Sequence, residues 1–189
     1  MILQYLVTAL GALFPAGCVA FAVAAWCWLK LSRLIAGVFV VCFLSAVGAA
    51  VTLKLVADGI GPPLENAGLF ALTRGAPSGH AVDVTVVYGC AAVLFARLWK
   101  NGLAVAGLIG CLAVIALVCI TRVTLQAHTI GDVAAGVAVG LAFVALFDRA
   151  MRTQARGTGA SPLGLQGLMT AAALLALASG VRISSAHFL

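Results

Sequence analysis

The chain has 189 residues, of which 64% are hydrophobic and only 8% are charged, and its formal net charge is +6. Its mean hydropathy is +1.20. This composition excludes a water-soluble globular domain and indicates that most of the chain lies in a membrane. The positive charge is accounted for by membrane topology and by attraction to anionic lipid headgroups, so it does not indicate nucleic-acid binding.

Several apolar runs approach the length of about 20 residues that a helix needs to span a bilayer. They cover residues 3–29, 34–53, 81–96, 103–120, 130–147 and 165–181. The first run has no preceding basic patch, and its first cation is Lys30, so we expect a retained helix instead of a cleaved signal. The predicted fold is all-α: one integral-membrane domain over residues 1–189, built as a six-transmembrane-helix bundle with catalytic loops at 54–80 and 121–132.

Lysine and arginine residues predict the orientation of this bundle. They cluster in the connections after the first, third and fifth runs: Lys30, Arg33, Arg97, Lys100, Arg149, Arg152 and Arg156. Short cytoplasmic loops carry such an excess of cations. Both termini and the two motif-bearing loops are then expected on the outer face, which in a bacterial cytoplasmic (inner) membrane is the periplasmic face.

The cysteines are interpreted as packing residues. All six fall inside the predicted helices: Cys18, Cys27, Cys42, Cys90, Cys111 and Cys119. Small apolar side chains of this kind pack well between helices, and cysteines that all lie within predicted helices do not indicate a disulfide framework. No cysteine–histidine spacing is typical of a zinc site, and neither a metal nor another cofactor is expected.

The first polar motif is Pro77-Ser78-Gly79-His80, at the start of the third apolar run. Ser78 is a natural N-cap, and the amides that follow it, including that of Gly79, point out of the helix toward an anion. His80 lies in the first turn of the same helix, within reach of a group bound there. It is therefore a candidate proton donor to a leaving oxygen.

The second polar motif contains Arg122, His128 and Asp132 at the start of the fifth run. His128 and Asp132 are four residues apart, a spacing that places both side chains on one helical face. The carboxylate can hold one ring nitrogen protonated and leave the other free to attack. Arg122 and Lys54 would stabilise the oxygens of a transferring phosphoryl group, although both cations could instead snorkel to lipid headgroups.

Asp83 lies one turn into the third apolar run. A carboxylate at this depth is costly in lipid, so we interpret it as a supporting partner of a nearby cation or histidine. Together, the two motifs predict a phosphate-handling site at a membrane surface.

These motifs resemble those of the type-2 phosphatidic acid phosphatase superfamily, written K-x6-R-P, P-S-G-H and S-R-x5-H-x3-D. The second motif matches in full, and the third matches with Thr121 in place of serine. In the first motif, Lys54 is followed by six residues and Gly61-Pro62, so a glycine stands where the family has arginine. Arg74 is the candidate to replace that missing cation.

The resemblance implies a role for each matched residue. His128 would be the nucleophile that forms a phosphohistidine, Asp132 its orienting partner, and His80 the acid that protonates the leaving group. The phosphate oxygens would be bound by Lys54, Ser78, Gly79 and Arg122. The family requires no metal.

The predicted function is therefore a hydrolase that removes phosphate from a membrane lipid during cell-envelope lipid metabolism. Polyprenyl diphosphate is the first choice of substrate, with phosphatidylglycerophosphate, phosphatidic acid and lipid A as competitors. The same residues would serve a lipid-to-lipid phosphotransferase, and the missing arginine leaves open a non-catalytic phospholipid-binding subunit. The intact pair of histidines argues against the latter, since binding alone needs no histidine–carboxylate pair. The expected partners are the lipid substrate and membrane lipids.

Overall fold

The computed structural model describes residues 2–60, 71–73, 75–154 and 161–186. These residues form α-helices, with no strand among them. In chain order the helices are α1 (Ile2–Ala9), α2 (Leu13–Lys30), α3 (Arg33–Ile60), α4 (Gly79–Leu98), α5 (Gly102–Thr124), α6 (Ile130–Gln154) and α7 (Pro162–Ala186). The six helices α2 to α7 are long and apolar enough to cross a membrane. The all-α, six-spanning fold predicted from the sequence is thus confirmed, and the chain is an integral membrane protein.

The first apolar run is divided, although a single helix over residues 3–29 was expected. α1 ends at Ala9 and α2 begins at Leu13. In a continuous helix, Pro15 would lack the N–H that bonds to the carbonyl of Gly11, and its ring would clash with that carbonyl. The helix therefore stops before Pro15 and starts again, which leaves Pro15 in the first turn of α2 where its missing N–H costs nothing.

The predicted catalytic loops are partly helical. α3 continues to Ile60, so Lys54 lies on a helix instead of in a loop. Arg122 lies in the last turn of α5, and His80 lies in the first turn of α4. The apolar runs underestimate the length of these helices. A polar residue in the terminal turn interrupts the hydrophobic stretch, but the helix continues through it.

Helix α4 lies at the centre of the bundle. It packs against α2, α3, α5 and α6, and 15 of its 20 residues are buried. A helix that is apolar on every face belongs in such a position. Because α4 begins with Gly79 and His80, the Pro77–His80 motif is surrounded by the neighbouring helices.

Two glycines allow α6 to approach α4 closely. A Cβ atom on Gly136 would lie 2.7 Å from the carbonyl oxygen of Ser78, and one on Gly140 would lie 2.6 Å from Thr85 Cβ. Any larger residue would push the helices apart, as is usual where small residues line a membrane helix interface. The backbone N–H of Ser78 also donates to the carbonyl oxygen of Asp132 over 3.0 Å. The two polar motifs are therefore in direct backbone contact.

The cysteines lie in α2, α3, α4 and α5, as expected, and none of the six forms a disulfide within the described helices. Four of them are buried and two are half-buried. Their positions agree with their interpretation as packing residues.

Charged side chains also pair at the end of the bundle opposite the two polar motifs. Asp148 of α6 accepts hydrogen bonds from Arg97 Nε over 2.9 Å and from Arg152 Nε over 3.1 Å. This end carries the connections predicted to face the cytoplasm. The orientation of the chain across the membrane stays a prediction.

Candidate active site

The polar residues of the motifs meet where α3, α4, α5 and α6 come together. Consecutive antiparallel helices place the end of one beside the start of the next, so the ends of α3 and α5 lie with the starts of α4 and α6. This arrangement collects Lys54, His80, Arg122 and His128 at one end of the bundle. Arg122, His128 and Lys54 all lie near enough to His80 to interact with it electrostatically.

Asp132 is the most tightly held residue of the site. Its side chain is fully buried and accepts the backbone N–H and the hydroxyl of Thr73, each over 2.8 Å. The N–H of Thr129 and Nδ1 of His128 lie 3.3 Å from the same carboxylate. A buried carboxylate with this many donors is stabilised in its charged form. Asp132 is therefore a fixed anion beside His128.

Thr129 and Asp132 form a capping box at the start of α6. The N–H of Asp132 donates to Thr129 Oγ1 over 3.1 Å, and the N–H of Thr129 donates to Asp132 Oδ2 over 3.3 Å. This reciprocal pair fixes the first turn, and the positive end of the helix dipole favours the carboxylate. Thr129 Oγ1 also donates to the carbonyl oxygen of Ala71, which ties the segment before α4 to α6.

His128 is oriented by Asp132. Its Nδ1 lies 3.3 Å from Asp132 Oδ2, and its side chain is only 12% exposed. Since the carboxylate is an acceptor, Nδ1 carries the proton and Nε2 is left with its lone pair. Burial and the charge of Arg122 lower the pKa of His128, and the hydrogen bond to Asp132 opposes this only in part. His128 is consequently neutral at neutral pH.

The segment before α4 passes close to the His128 ring. A Cβ atom on Gly75 would lie 3.4 Å from Cε1 of His128, and the N–H of Gly75 donates to Thr73 Oγ1 over 3.1 Å. Thr73 thereby bonds both to the carboxylate and to the backbone that covers the histidine. This glycine leaves the ring just enough space.

Lys54 reaches the first turn of α4. A Cβ atom on Gly79 would lie 3.6 Å from Lys54 Nζ, so the ammonium group sits beside the amide predicted to bind phosphate. Asp83 is buried at 6% exposure, and the charge of Lys54 also acts on it. The two residues are near each other, as the interpretation of Asp83 as a supporting partner requires.

Arg122 contacts the N-terminal helix. Its Nη1 donates to Thr8 Oγ1 over 3.2 Å, while its Nε is buried without a hydrogen-bond partner among the described residues. The carbonyl oxygen of Arg122 accepts the N–H groups of Ala127 and His128 over 3.1 and 3.2 Å. The same residue thus presents a guanidinium group to the site and anchors the loop that carries the histidine.

Ser78 stands at the N-cap of α4, as predicted, but its hydroxyl does not cap the helix. The residue is fully buried, and Oγ has no partner in the described part of the chain. Buried polar atoms are nearly always paired. Among the described residues of the motifs, this hydroxyl and Arg122 Nε are both buried without a hydrogen-bond partner, which makes them candidate donors to an anion.

Three contributors were not identified from the sequence. Thr73 precedes the Pro77–His80 motif in a segment without any regular pattern, and Thr8 lies in the first apolar run. Thr129 was missed as well, although the Thr-x-x-Asp spacing of a capping box is a signal that the sequence does contain. The predictions for Arg74 and for the substituted position Gly61 lie outside the described residues.

The fold and the site define an integral membrane protein with a buried histidine–aspartate pair among cations at one end of its helical bundle. A family model described as the PAP2 superfamily matches residues 52–156, more than half of the chain. The chain belongs to the PAP2 superfamily, which supports phosphatase activity. No curated protein and no solved structure matches it.

Proposed function

We propose that the chain is a metal-independent phosphatase that removes phosphate from a membrane lipid through a phosphohistidine at His128. The observation that carries the proposal is the buried contact between His128 Nδ1 and Asp132, which leaves Nε2 of a neutral imidazole for attack. His80 and the cations Lys54 and Arg122 lie around the same point. Binding a lipid phosphate would need only the cations.

In the first step, Nε2 of His128 attacks phosphorus and forms an N–P bond while the bond between phosphorus and the lipid oxygen breaks. The electron pair of that bond leaves with the oxygen, which takes a proton from His80. The negative charge of the bound phosphate opposes the neighbouring cations and favours the protonated form of His80 that this step requires. The imidazole ring becomes positively charged, and the Asp132 carboxylate 3.3 Å from Nδ1 stabilises it. The products are a lipid alcohol, or a lipid monophosphate from a diphosphate, and the phosphorylated enzyme.

In the second step, water attacks the phosphohistidine. His80, now neutral, accepts a proton from that water as the new P–O bond forms and the N–P bond breaks. Inorganic phosphate leaves, and both histidines return to their starting states.

The cations and donors of the site stabilise the charge that develops on the phosphoryl oxygens. Lys54 lies beside the amide of Gly79, and Arg122 has a buried Nε without a partner in the described residues. The hydroxyl of Ser78 is also buried and has no hydrogen-bond partner in the described residues. Fixed donors of this kind act without reorganising during the reaction. Asp83 supports Lys54 from within α4. Arg74 remains the sequence-based candidate to replace the arginine that the family has at the position of Gly61.

A lipid phosphate is the substrate class that the position of the site favours. The phosphate-binding groups lie at the ends of membrane-spanning helices, where a lipid can present its headgroup while its chain stays in the bilayer. Polyprenyl diphosphate is our first choice, ahead of phosphatidylglycerophosphate, phosphatidic acid and lipid A. We place the site on the periplasmic face of a bacterial cytoplasmic membrane, following the distribution of cations.

Release of inorganic phosphate by the purified protein in detergent tests this function. Each of the four lipids is supplied in the presence of a chelator, and His128→Ala is compared with His187→Ala, a histidine to which no role is assigned. We expect release from at least one lipid, lost in His128→Ala and kept in His187→Ala. Transfer of phosphate to another lipid with little release would indicate a phosphotransferase, and no turnover of any lipid would contradict an enzymatic role.

A further inference from the structure

The guanidinium group of Arg122 is held by a residue from the start of the chain. Nη1 of Arg122 donates to Thr8 Oγ1 over 3.2 Å. Thr8 is 8% exposed and lies in the last turn of α1, so the hydrogen bond is shielded from solvent. Helix α1 lies outside residues 52–156, the part matched by the family model. The contact is therefore a property of this chain beyond the family match.

This hydrogen bond leaves the other edge of the guanidinium group for a ligand. Nε–H and Nη2 of an arginine form a planar fork that holds two oxygens of a phosphate. Nη1 of Arg122 is engaged by Thr8, whereas Nε is buried and has no partner in the described parts of the chain. A buried donor without a partner costs free energy unless a ligand pairs with it.

The turn after α1 is packed directly against the site. A Cβ atom on Gly11 would lie 2.7 Å from Val118 Cγ1 and 3.0 Å from the carbonyl oxygen of His80. Val118 is one helical turn before Arg122 on α5. Only glycine permits this approach, which seats α1 between the start of α4 and the end of α5.

We infer that Thr8 is a positioning residue for phosphate binding. Its hydroxyl fixes Nη1 of Arg122 so that the Nε edge faces the phosphate, and Gly11 holds α1 against His80 in the position that this requires. The inference rests on the proposed function, because Arg122 is assigned there as a phosphate ligand. It adds a residue of the N-terminal helix to the site.

Two substitutions of Thr8 test this role. Thr8→Val keeps the shape of the side chain but removes the hydroxyl, and Thr8→Ser keeps the hydroxyl. The affinity for inorganic phosphate is measured by titration calorimetry of the purified protein in detergent, and KM and kcat are measured with the lipid that is turned over. We expect Thr8→Val to weaken phosphate binding and raise KM about tenfold, as for a lost hydrogen bond to a charged group, with a smaller change in kcat. Thr8→Ser should stay within about twofold of the parent, since it keeps that hydrogen bond.

Thr52→Val is the matched control, since Thr52 is exposed and its hydroxyl donates to Gly48 within α3. It should bind phosphate like the parent protein. Unchanged phosphate affinity and KM in Thr8→Val, with turnover intact, would overturn the role of Thr8 and leave the proposed function standing. Phosphate binding that depends on Thr8 without any lipid turnover would support the role and contradict the phosphatase. Equal losses in Thr8→Val and Thr8→Ser, without recovery by the hydroxyl, would reduce Thr8 to a packing residue.

Discussion

Nδ1 of His128 lies 3.3 Å from Oδ2 of Asp132, and the carboxylate is fully buried. The carboxylate is held by donors from both sides, since Thr73 approaches from the segment before α4 and Thr129 from the start of α6. The ring can therefore turn only at the cost of the hydrogen bond to a fixed anion. This arrangement orients a nucleophile, and its consequences can be measured.

The pH dependence of kcat/KM should report the titration of His128. Burial lowers the pKa of this residue below the ordinary value of about 6.5. Attack requires the neutral ring, so activity is lost as pH falls through that lowered pKa, and this titration sets the acid limb of the profile. We expect the acid limb of the profile of kcat/KM to lie below about pH 6.5, the value at which an unshifted histidine would titrate. A limb above this value would contradict the assignment.

Asp132→Asn should move that acid limb further down. The carboxylate opposes the effect of burial by favouring the protonated ring, and asparagine has no charge to do so. The plateau of kcat should also fall. The side-chain N–H of asparagine can donate to Nδ1, which would leave the proton on Nε2, the nitrogen that has to attack. Measuring both proteins on one lipid removes the titration of the substrate from the comparison. A limb that stays in place would show that Asp132 does not act on His128.

Thr73 should matter through its hydroxyl. Thr73→Val removes the bond from Oγ1 to Asp132 and the acceptor for the N–H of Gly75, while the bond from its own backbone N–H remains. We expect kcat to fall by about tenfold, in line with one hydrogen bond to a charged group. Thr73→Ser should recover most of the loss. Steady-state kinetics of the two variants at one pH decide whether catalysis needs the hydroxyl of Thr73 or only the shape of its side chain.

Gly136 should not tolerate a methyl group. In Gly136→Ala the new Cβ would lie 2.7 Å from the backbone oxygen of Ser78, which cannot move without displacing the Pro77–His80 motif. We expect a loss of about 1–3 kcal/mol in stability, as in other overpacked interiors, seen as a lower melting temperature in detergent. Gly48→Ala is the control, because a Cβ atom there meets nothing within 4 Å. Equal melting temperatures for the two variants would show that α6 is not in close contact with α4.

Arg122→Lys should weaken substrate binding although it keeps the charge. An ammonium group cannot hold Thr8 and two phosphate oxygens in one plane as a guanidinium group does. We expect KM to rise by about tenfold or more, the loss of a hydrogen bond to a charged group. Arg152→Lys, at the other end of the bundle where the parent side chain pairs with Asp148, should have the kinetics of the parent. Similar KM values for both variants would remove Arg122 from the phosphate site.

Much of the architecture could be predicted because bilayer thickness sets the length of an apolar run. The six spans were predicted on this basis. Because successive spans alternate in direction, the two polar motifs were then expected at the same end of the bundle. The break before Pro15 was missed because hydropathy does not register a missing backbone donor. Lys54 was assigned to a loop because its charge ended the apolar run, while α3 continues to Ile60.

The site was predicted less completely than the fold. His128 and Asp132 were paired correctly from their spacing, but the expectation that both lie on one helical face was wrong. His128 precedes α6, which begins at Ile130, so it contacts Asp132 from outside the helix N-terminus. Thr8 and Thr73 could not be found, since they contact Arg122 and Asp132 across 114 and 59 residues of chain. Such contacts depend on how the helices pack, which local patterns do not encode.

The central claim is that phosphate is carried on His128, and the most direct measurement is detection of that phosphoenzyme. The protein is mixed with the lipid that it hydrolyses fastest, quenched in alkali, where phosphohistidine survives, and digested for peptide mass spectrometry. Phosphate on the peptide that contains His128, absent from His128→Ala protein that remains monodisperse in detergent, is the predicted result. Continued release of phosphate by His128→Ala, or turnover by the parent protein with no phosphate on this histidine, would contradict the mechanism.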